Sequence, residues 1–257
     1  MSTAMTTAAR HREAPRSDGV PHPFKGLLYP GRGFGRWVLR RYWDIQVHHG
    51  DRFPAGGPVV VAANHIGFID GPLMGIFSPR PVHAWTKREM FAGAMRPVMH
   101  LVGQIPIDRF HPDPRAVRIA LRVLRDGGAV GVFPEGRRGN GELGRFHRGA
   151  AYLAMVAGAP VVPLTFIGTR EPGGGSGSLP ARGARIDLVF GHPIAVPATQ
   201  FPRTRDAVTS MSLLLHERML AEVHTALAET GRTLPGPLPP GQTEPDSGDD
   251  VTEERPA

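Results

Sequence analysis

At 257 residues, with 40% hydrophobic and 21% charged side chains, the chain is long enough to bury one substantial core. It contains no cysteine, which excludes disulfides, zinc-thiolate sites and cysteine nucleophiles together. The formal net charge of +7 is unevenly spread: from Gly231 onward two arginines against six acids leave −4, so the remainder carries +11 and suits an anionic partner, whether a phospholipid surface, coenzyme A phosphates or nucleic acid.

In chain order, residues 1–23 offer little to bury and read as a disordered N-terminus. A folded unit is expected over 24–230, opening with a basic and aromatic segment, 24–50. Between Tyr29 and Trp43 this segment holds two of the three tryptophans, two of the three tyrosines, and Arg32, Arg36, Arg40 and Arg41. Such interleaving suits an anionic membrane surface. It equally suits a helix packed on the core through Trp37, Val38 and Tyr42 with a solvated basic face. No window approaches twenty apolar residues, and charges stand where a signal peptide would need its apolar region. The expected location is the cytoplasm, peripheral to the inner face of the cell membrane.

Apolar runs then alternate with helical patterns, as a mainly parallel sheet flanked by helices requires. Strands are predicted at Val59 to Ala63, Val82 to Trp85, Gln104 to Ile107, Ala129 to Phe133, Val161 to Ile167 and Arg185 to Phe190. Pro114 opens a helix with Ala116, Val117, Ala120, Leu121 and Leu124 on one side and Arg115, Arg118, Arg122 and Arg125 on the other, ended by Gly127-Gly128. A flexible loop is predicted over Pro172 to Pro180, and a last long helix from about Asp206 to Glu229. The acidic stretch 231–257, with its Pro-Gly-Pro-Leu-Pro-Pro run, reads as a disordered tail. The fold class is therefore α/β, one domain.

Two segments carry the chemistry. In Asn64-His65-Ile66-Gly67-Phe68-Ile69-Asp70 an imidazole and a carboxylate stand five apart, roughly 140° around a continuous helix, so pairing them needs the turn that Gly67 can supply. At the carboxyl end of a strand, a histidine oriented by an acid can take a proton from an alcohol near neutral pH. Phe133-Pro134-Glu135-Gly136-Arg137-Arg138 offers a turn and guanidinium groups to a phosphate. The pattern G-x-G-x-x-G at Gly139 to Gly144 does not directly follow a strand and has no acid about twenty residues on, so it is no dinucleotide site. Neither a phosphate-loop nor a hydrolase elbow motif occurs, and the histidines lack zinc-ligand spacing, so no metal is expected.

The blocks N-H-x-x-x-x-D at Asn64 to Asp70, Gly103-Gln104-Ile105-Pro106-Ile107-Asp108-Arg109, Phe133 to Arg138, and Val161-Val162-Pro163-Leu164 resemble, in order, the four blocks of the 1-acylglycerol-3-phosphate acyltransferase family of the glycerolipid acyltransferase superfamily. Lys87-Arg88-Glu89-Met90-Phe91 matches the segment the family often carries between the first two. The likeness covers about 35 to 195 and departs at Arg137, where the family usually has Thr.

The resemblance implies an acyl group passing from acyl-CoA or acyl carrier protein, as co-substrate without cofactor, to the free hydroxyl of a lysophospholipid, foremost 1-acylglycerol-3-phosphate. It implies His65 as base and Asp70 as its orienter. Arg109, Glu135, Gly136 and Arg138 become the acceptor site, with Glu135 fixing Arg109, Arg138 or Lys87 by ion pairing. Asn64, Gly103 and Pro134 shape their loops, and Lys87 and Arg137 meet substrate charge. Two alternatives stay open: a related transferase with a lyso-aminolipid or glycolipid acceptor, and a non-enzymatic basic module for membrane or nucleic acid.

Overall fold

The computed structural model of the chain describes residues 7–242 and 250–252. Its elements are α1 (Thr7–Arg12), α2 (Arg32–Tyr42), β1 (Asp44–His48), β2 (Val59–Ala63), α3 (Asp70–Phe77), β3 (Val82–Lys87), α4 (Met95–Leu101), β4 (Ile105–Ile107), α5 (Pro114–Arg125), β5 (Ala129–Val132), α6 (Gly149–Ala157), β6 (Val161–Ile167), β7 (Arg185–Phe190) and α7 (Arg205–Thr230). The strands form one sheet in the order β1-β7-β6-β2-β5-β3-β4. Every pairing is parallel except β6 with β7.

Alternation along the strands divides the interior into two layers. Val60 and Ala62 of β2 join α5, α6 and α7 in one apolar cluster, while Val59, Val61 and Ala63 join α3 and the aromatic end of β7 in the other. All five side chains of β2 are consequently buried, which explains its uninterrupted apolar run. Helix α5 starts as its sequence suggests: the Asp113 carboxylate accepts the N–H groups of Arg115 and Ala116, and Pro114 occupies the first turn. Its arginine face is less uniform than the pattern implies, because Arg125 turns inward and is buried.

Three expectations are corrected. Residues 7–23 are folded, not disordered: the Arg125 guanidinium donates to the carbonyls of Glu13 and Pro15 and to the Ser17 hydroxyl, and His11 bonds Ser17 and Asp126. The described part of the acidic tail is docked as well, Asp250 accepting the Phe146 N–H and pairing with Arg145 while Val251 is buried. Residues 1–6, 243–249 and 253–257 lie outside the described set. The third correction is β1, absent from the sequence reading, whose only fully buried side chain, Ile45, gives too short an apolar signal to stand out.

Register places the site. Because Ala62 of β2 aligns with Val132 of β5 in parallel, the residues that follow run on side by side, and His65 comes level with Glu135. On the far side of β5, Lys87 ends β3 beside Ile107 of β4, which leads to Arg109. The carboxyl ends of four neighbouring parallel strands thus deliver all the motif loops to one rim of the sheet.

Candidate active site

The His65 imidazole is fixed from three directions. Its Nδ1–H donates to Asp70 Oδ2 at 2.8 Å, and the ring stacks on Phe133 with centroids 4.1 Å apart. Its backbone is clipped to the loop after β5: the N–H donates to Glu135 Oε1 at 2.8 Å, and the carbonyl accepts from Gly139 N–H at 2.8 Å. Asp70 is fully buried as the first residue of α3. Rather than capping forward, it reaches back, Oδ2 also accepting the N–H groups of Ile66 and Gly67 at 2.8 and 2.9 Å. Three donors on one oxygen hold the acid and define the His65 tautomer, leaving Nε2 as the nitrogen available for substrate.

Gly67 supplies the expected turn, for a reason of space more than of dihedral angle. A Cβ there would come within 2.4 Å of the Thr169 carbonyl, so only glycine lets the loop lie against the chain leaving β6. Asn64 extends the sheet by side chain: its amide donates to the Phe166 carbonyl and accepts the Phe166 N–H, at 3.0 and 2.7 Å. Gly103 has φ +61 and sits against the Phe24 carbonyl, while the Pro134 carbonyl accepts the His147 N–H.

Glu135 is corrected in role. Instead of an ion pair with Arg109, Arg138 or Lys87, its carboxyl holds the His65 backbone, and burial pushes its pKa up to about 8 against the opposing pull of that N–H. Gly136 adopts φ +69, and its N–H is spent on the Phe133 carbonyl, so it is not a free phosphate donor. Arg109 donates to the Gly136 carbonyl at 3.0 Å, and Arg138 donates to the Ser176 carbonyl at 2.8 Å with its guanidinium over Phe68.

His65, Lys87, Arg109, Arg137 and Arg138 nevertheless line one cavity of about 740 Å³. The same cavity is walled by Leu27, Leu28, Ile76, Val98 and Met99 from α3, α4 and the approach to α2. A base, a group of cations and an apolar wall in one space of ligand size suit an amphiphile with an anionic head. Among the described residues no group of three or more His, Asp or Glu side chains is placed to hold a metal ion. The sequence reading missed Phe133 as the stacking partner of His65, and it missed Arg170, which is buried beneath the same loops. The sequence places Phe133 at the end of a strand, and nothing local marks Arg170, three of whose four carbonyl partners are distant in the chain.

The acyltransferase family model matches residues 44–167, which include every motif residue of this cavity from His65 to Arg138. The chain is 25% identical over 184 residues to the 1-acyl-sn-glycerol-3-phosphate acyltransferase of Bacillus subtilis, covering 71% of this chain and 89% of that protein. It is 37% identical over 127 residues to the sheep 1-acyl-sn-glycerol-3-phosphate acyltransferase alpha, where it spans 44% of the relative's length. The crystal structure of the 1-acyl-sn-glycerophosphate acyltransferase from Thermotoga maritima superposes with a TM-score of 0.57 at 21% identity, over 79% of each chain, and shares the fold. Residues 44–167 thus match the acyltransferase family model, and the relatives that the chain resembles across its motif blocks are named 1-acyl-sn-glycerol-3-phosphate acyltransferases.

Proposed function

We propose that the protein moves an acyl group from an acyl thioester, acyl-CoA or acyl carrier protein, to the free hydroxyl of 1-acylglycerol-3-phosphate, giving phosphatidic acid. The observation that carries this reading is the His65–Asp70 pair opening onto a cavity that also holds Lys87, Arg109, Arg137 and Arg138. His65 Nε2 takes the hydroxyl proton as the oxygen forms its bond to the thioester carbonyl carbon. The carbon–sulfur bond then breaks, and the departing thiolate receives the proton from the imidazolium. No covalent enzyme intermediate, resident cofactor or metal is required. The arginines and Lys87 bind the phosphate monoester, and the apolar wall takes acyl chain.

The acceptor is expected to be delivered at an anionic membrane surface met by α2, on which Phe34 and Trp37 stack with 71% and 63% of their surface exposed. No helix among the described residues is long and apolar enough to cross a membrane. A lyso-aminolipid or glycolipid acceptor is the second reading, kept by Arg137 on the cavity wall.

The test is thiol release from acyl-CoA and from acyl carrier protein with a panel of lysolipids, followed by product mass. Thiol release dependent on 1-acylglycerol-3-phosphate, yielding phosphatidic acid, is expected. Release only with neutral or amine-bearing acceptors would transfer the assignment to the second reading, and no release with any acceptor would refute acyl transfer to lysolipids. In Arg137→Thr, activity on the phosphate monoester should persist while bulkier acceptors lose.

A further inference from the structure

Arg170 has a relative exposure of 1%, yet no motif claims it. Among the described residues its guanidinium meets no carboxylate. Every bond it makes goes to a backbone carbonyl: Nε to Ile66 at 2.9 Å, one terminal nitrogen to Gly174 at 3.0 Å, and the other to Gly139 at 2.9 Å and Gly236 at 2.7 Å. Burying an arginine among carbonyls is costly unless its donors are satisfied, and here four separate loops supply the acceptors.

Two of those loops are the ones that hold the base. Ile66 follows His65 directly and lends its own N–H to Asp70; Gly139 is the residue whose N–H fixes the His65 carbonyl. The chain carrying Arg170 also lies against the turn itself, since the Thr169 carbonyl occupies the space that a Cβ on Gly67 would need. The buried Asp70 bears a second oxygen, Oδ1, without a hydrogen-bond partner among the described residues. Burial lowers the Arg170 pKa, and the attraction of the Asp70 carboxylate opposes part of that pull.

We propose that Arg170 is a positioning residue for acyl transfer: a buried guanidinium that staples the His65–Asp70 turn to the loop after β5, and so sets the imidazole against the reacting hydroxyl. The inference rests on the reading of His65 as the base. Because Arg170 acts through His65 and lies outside the cavity lining, it governs turnover and not affinity. A misplacement of about 1 Å is enough to cost roughly a hundredfold in rate.

Arg170→Met and Arg170→Lys are to be compared with wild type and with His65→Ala by melting, by kcat and KM for both substrates, and by the ring-proton resonance of His65 in protein carrying ¹⁵N-histidine. Folded Arg170→Met is expected to lose about ten- to a hundredfold in kcat, with both KM values within about twofold and the His65 signal shifted or broadened. A kcat within about twofold of wild type, a loss carried by either KM, or an unmoved His65 signal would overturn the proposal. If Arg170→Met does not fold, Arg170→Lys decides, because an ammonium keeps the charge near Asp70 but has three donors for four carbonyls. A kcat loss of about tenfold or more at unchanged KM supports the proposal, and wild-type kcat sinks it. Should His65→Ala itself retain wild-type turnover, the assignment of the base fails whatever Arg170 does. If His65→Ala is inactive while folded Arg170→Met is unimpaired, only the present inference fails.

Discussion

His65 illustrates how much of a reactive side chain's identity is supplied by others. Alone it would be one more histidine at a strand end; here Asp70, Phe133, Glu135 and Gly139 fix its ring and backbone together. General-base catalysis is worth about a hundredfold or more, so His65→Ala should lose at least that in kcat while melting normally, and near-native turnover would refute the mechanism. Asp70→Asn should be severely impaired too, because the amide presents the wrong hydrogen-bonding group to Nδ1 or to the N–H groups of Ile66 and Gly67. Glu135 makes a different prediction. With its pKa raised from 4.5 to about 8 by burial, the folded state binds a proton that the unfolded state has already released, so stability falls as pH rises through that window. Glu135→Gln retains an oxygen for the His65 N–H and should flatten the dependence; urea midpoints measured across the same pH range decide it, and parallel curves for the two proteins would contradict the assignment.

The same residues show what a sequence can disclose. His65 and Asp70 were legible because residues five apart cannot pair on one continuous helix, so their side chains meet only across a turn. Glu135 was found but misassigned: an acid beside arginines suggests ion pairing, whereas its actual partner is a backbone N–H brought level by the register of β2 on β5. Backbone donors leave no trace in composition. Arg170 was invisible for a similar reason, since all its acceptors are carbonyls and two of them lie on glycines more than thirty residues away.

Among the elements, the buried central strands were legible from their apolar runs and α5 from its cap and periodicity, because those signals are local. Helix α2 was ambiguous, and its structure divides its arginines into two classes. Arg36 donates to the carbonyls of Ile76 and Ser78 at 2.9 and 3.1 Å, and Arg32 bonds the same two groups, so both are spent on the carboxyl end of α3. Arg41 faces outward with the exposed Phe34, Trp37 and Tyr42, Arg40 is exposed with its guanidinium over the Phe77 ring, and no residue of α2 is fully buried. The reading in which Trp37 and Tyr42 pack on the core is therefore set aside; Leu39 and Trp43 make that contact. Vesicle flotation should show a preference for anionic lipid that weakens as salt shortens screening to about 10 Å at 0.1 M. Replacing Phe34, Trp37, Arg40 and Arg41 together should reduce flotation without changing the melting temperature, whereas replacing Arg32 and Arg36 should destabilise the fold. If the first variant floats like wild type, membrane contact lies elsewhere.

At the scale of the whole molecule, segments remote in sequence are drawn onto the α5 side of the sheet, and composition misled because polar segments can dock through a few directed bonds without burying much apolar surface. Arg125 is the anchor for residues 7–18: its relative exposure is 7%, and its bonds to Glu13, Pro15 and Ser17 replace the water that burial removes. Hydrogen bonds to a charged group contribute about 1.5–3 kcal/mol, so deleting residues 1–18 should lower stability by at least that amount, read as a fall in the urea midpoint. The deletion alone would not show that Arg125 is responsible, since it also removes the His11 contacts with Ser17 and Asp126. A double-mutant cycle separates the two. In an Arg125→Leu background the buried charge is gone, and the same deletion should cost distinctly less than in wild type, the difference measuring the coupling between helix and segment. Equal losses in both backgrounds would assign the docking to His11, and an unchanged midpoint on deletion would mean that residues 7–18 contribute nothing to the stability of the fold.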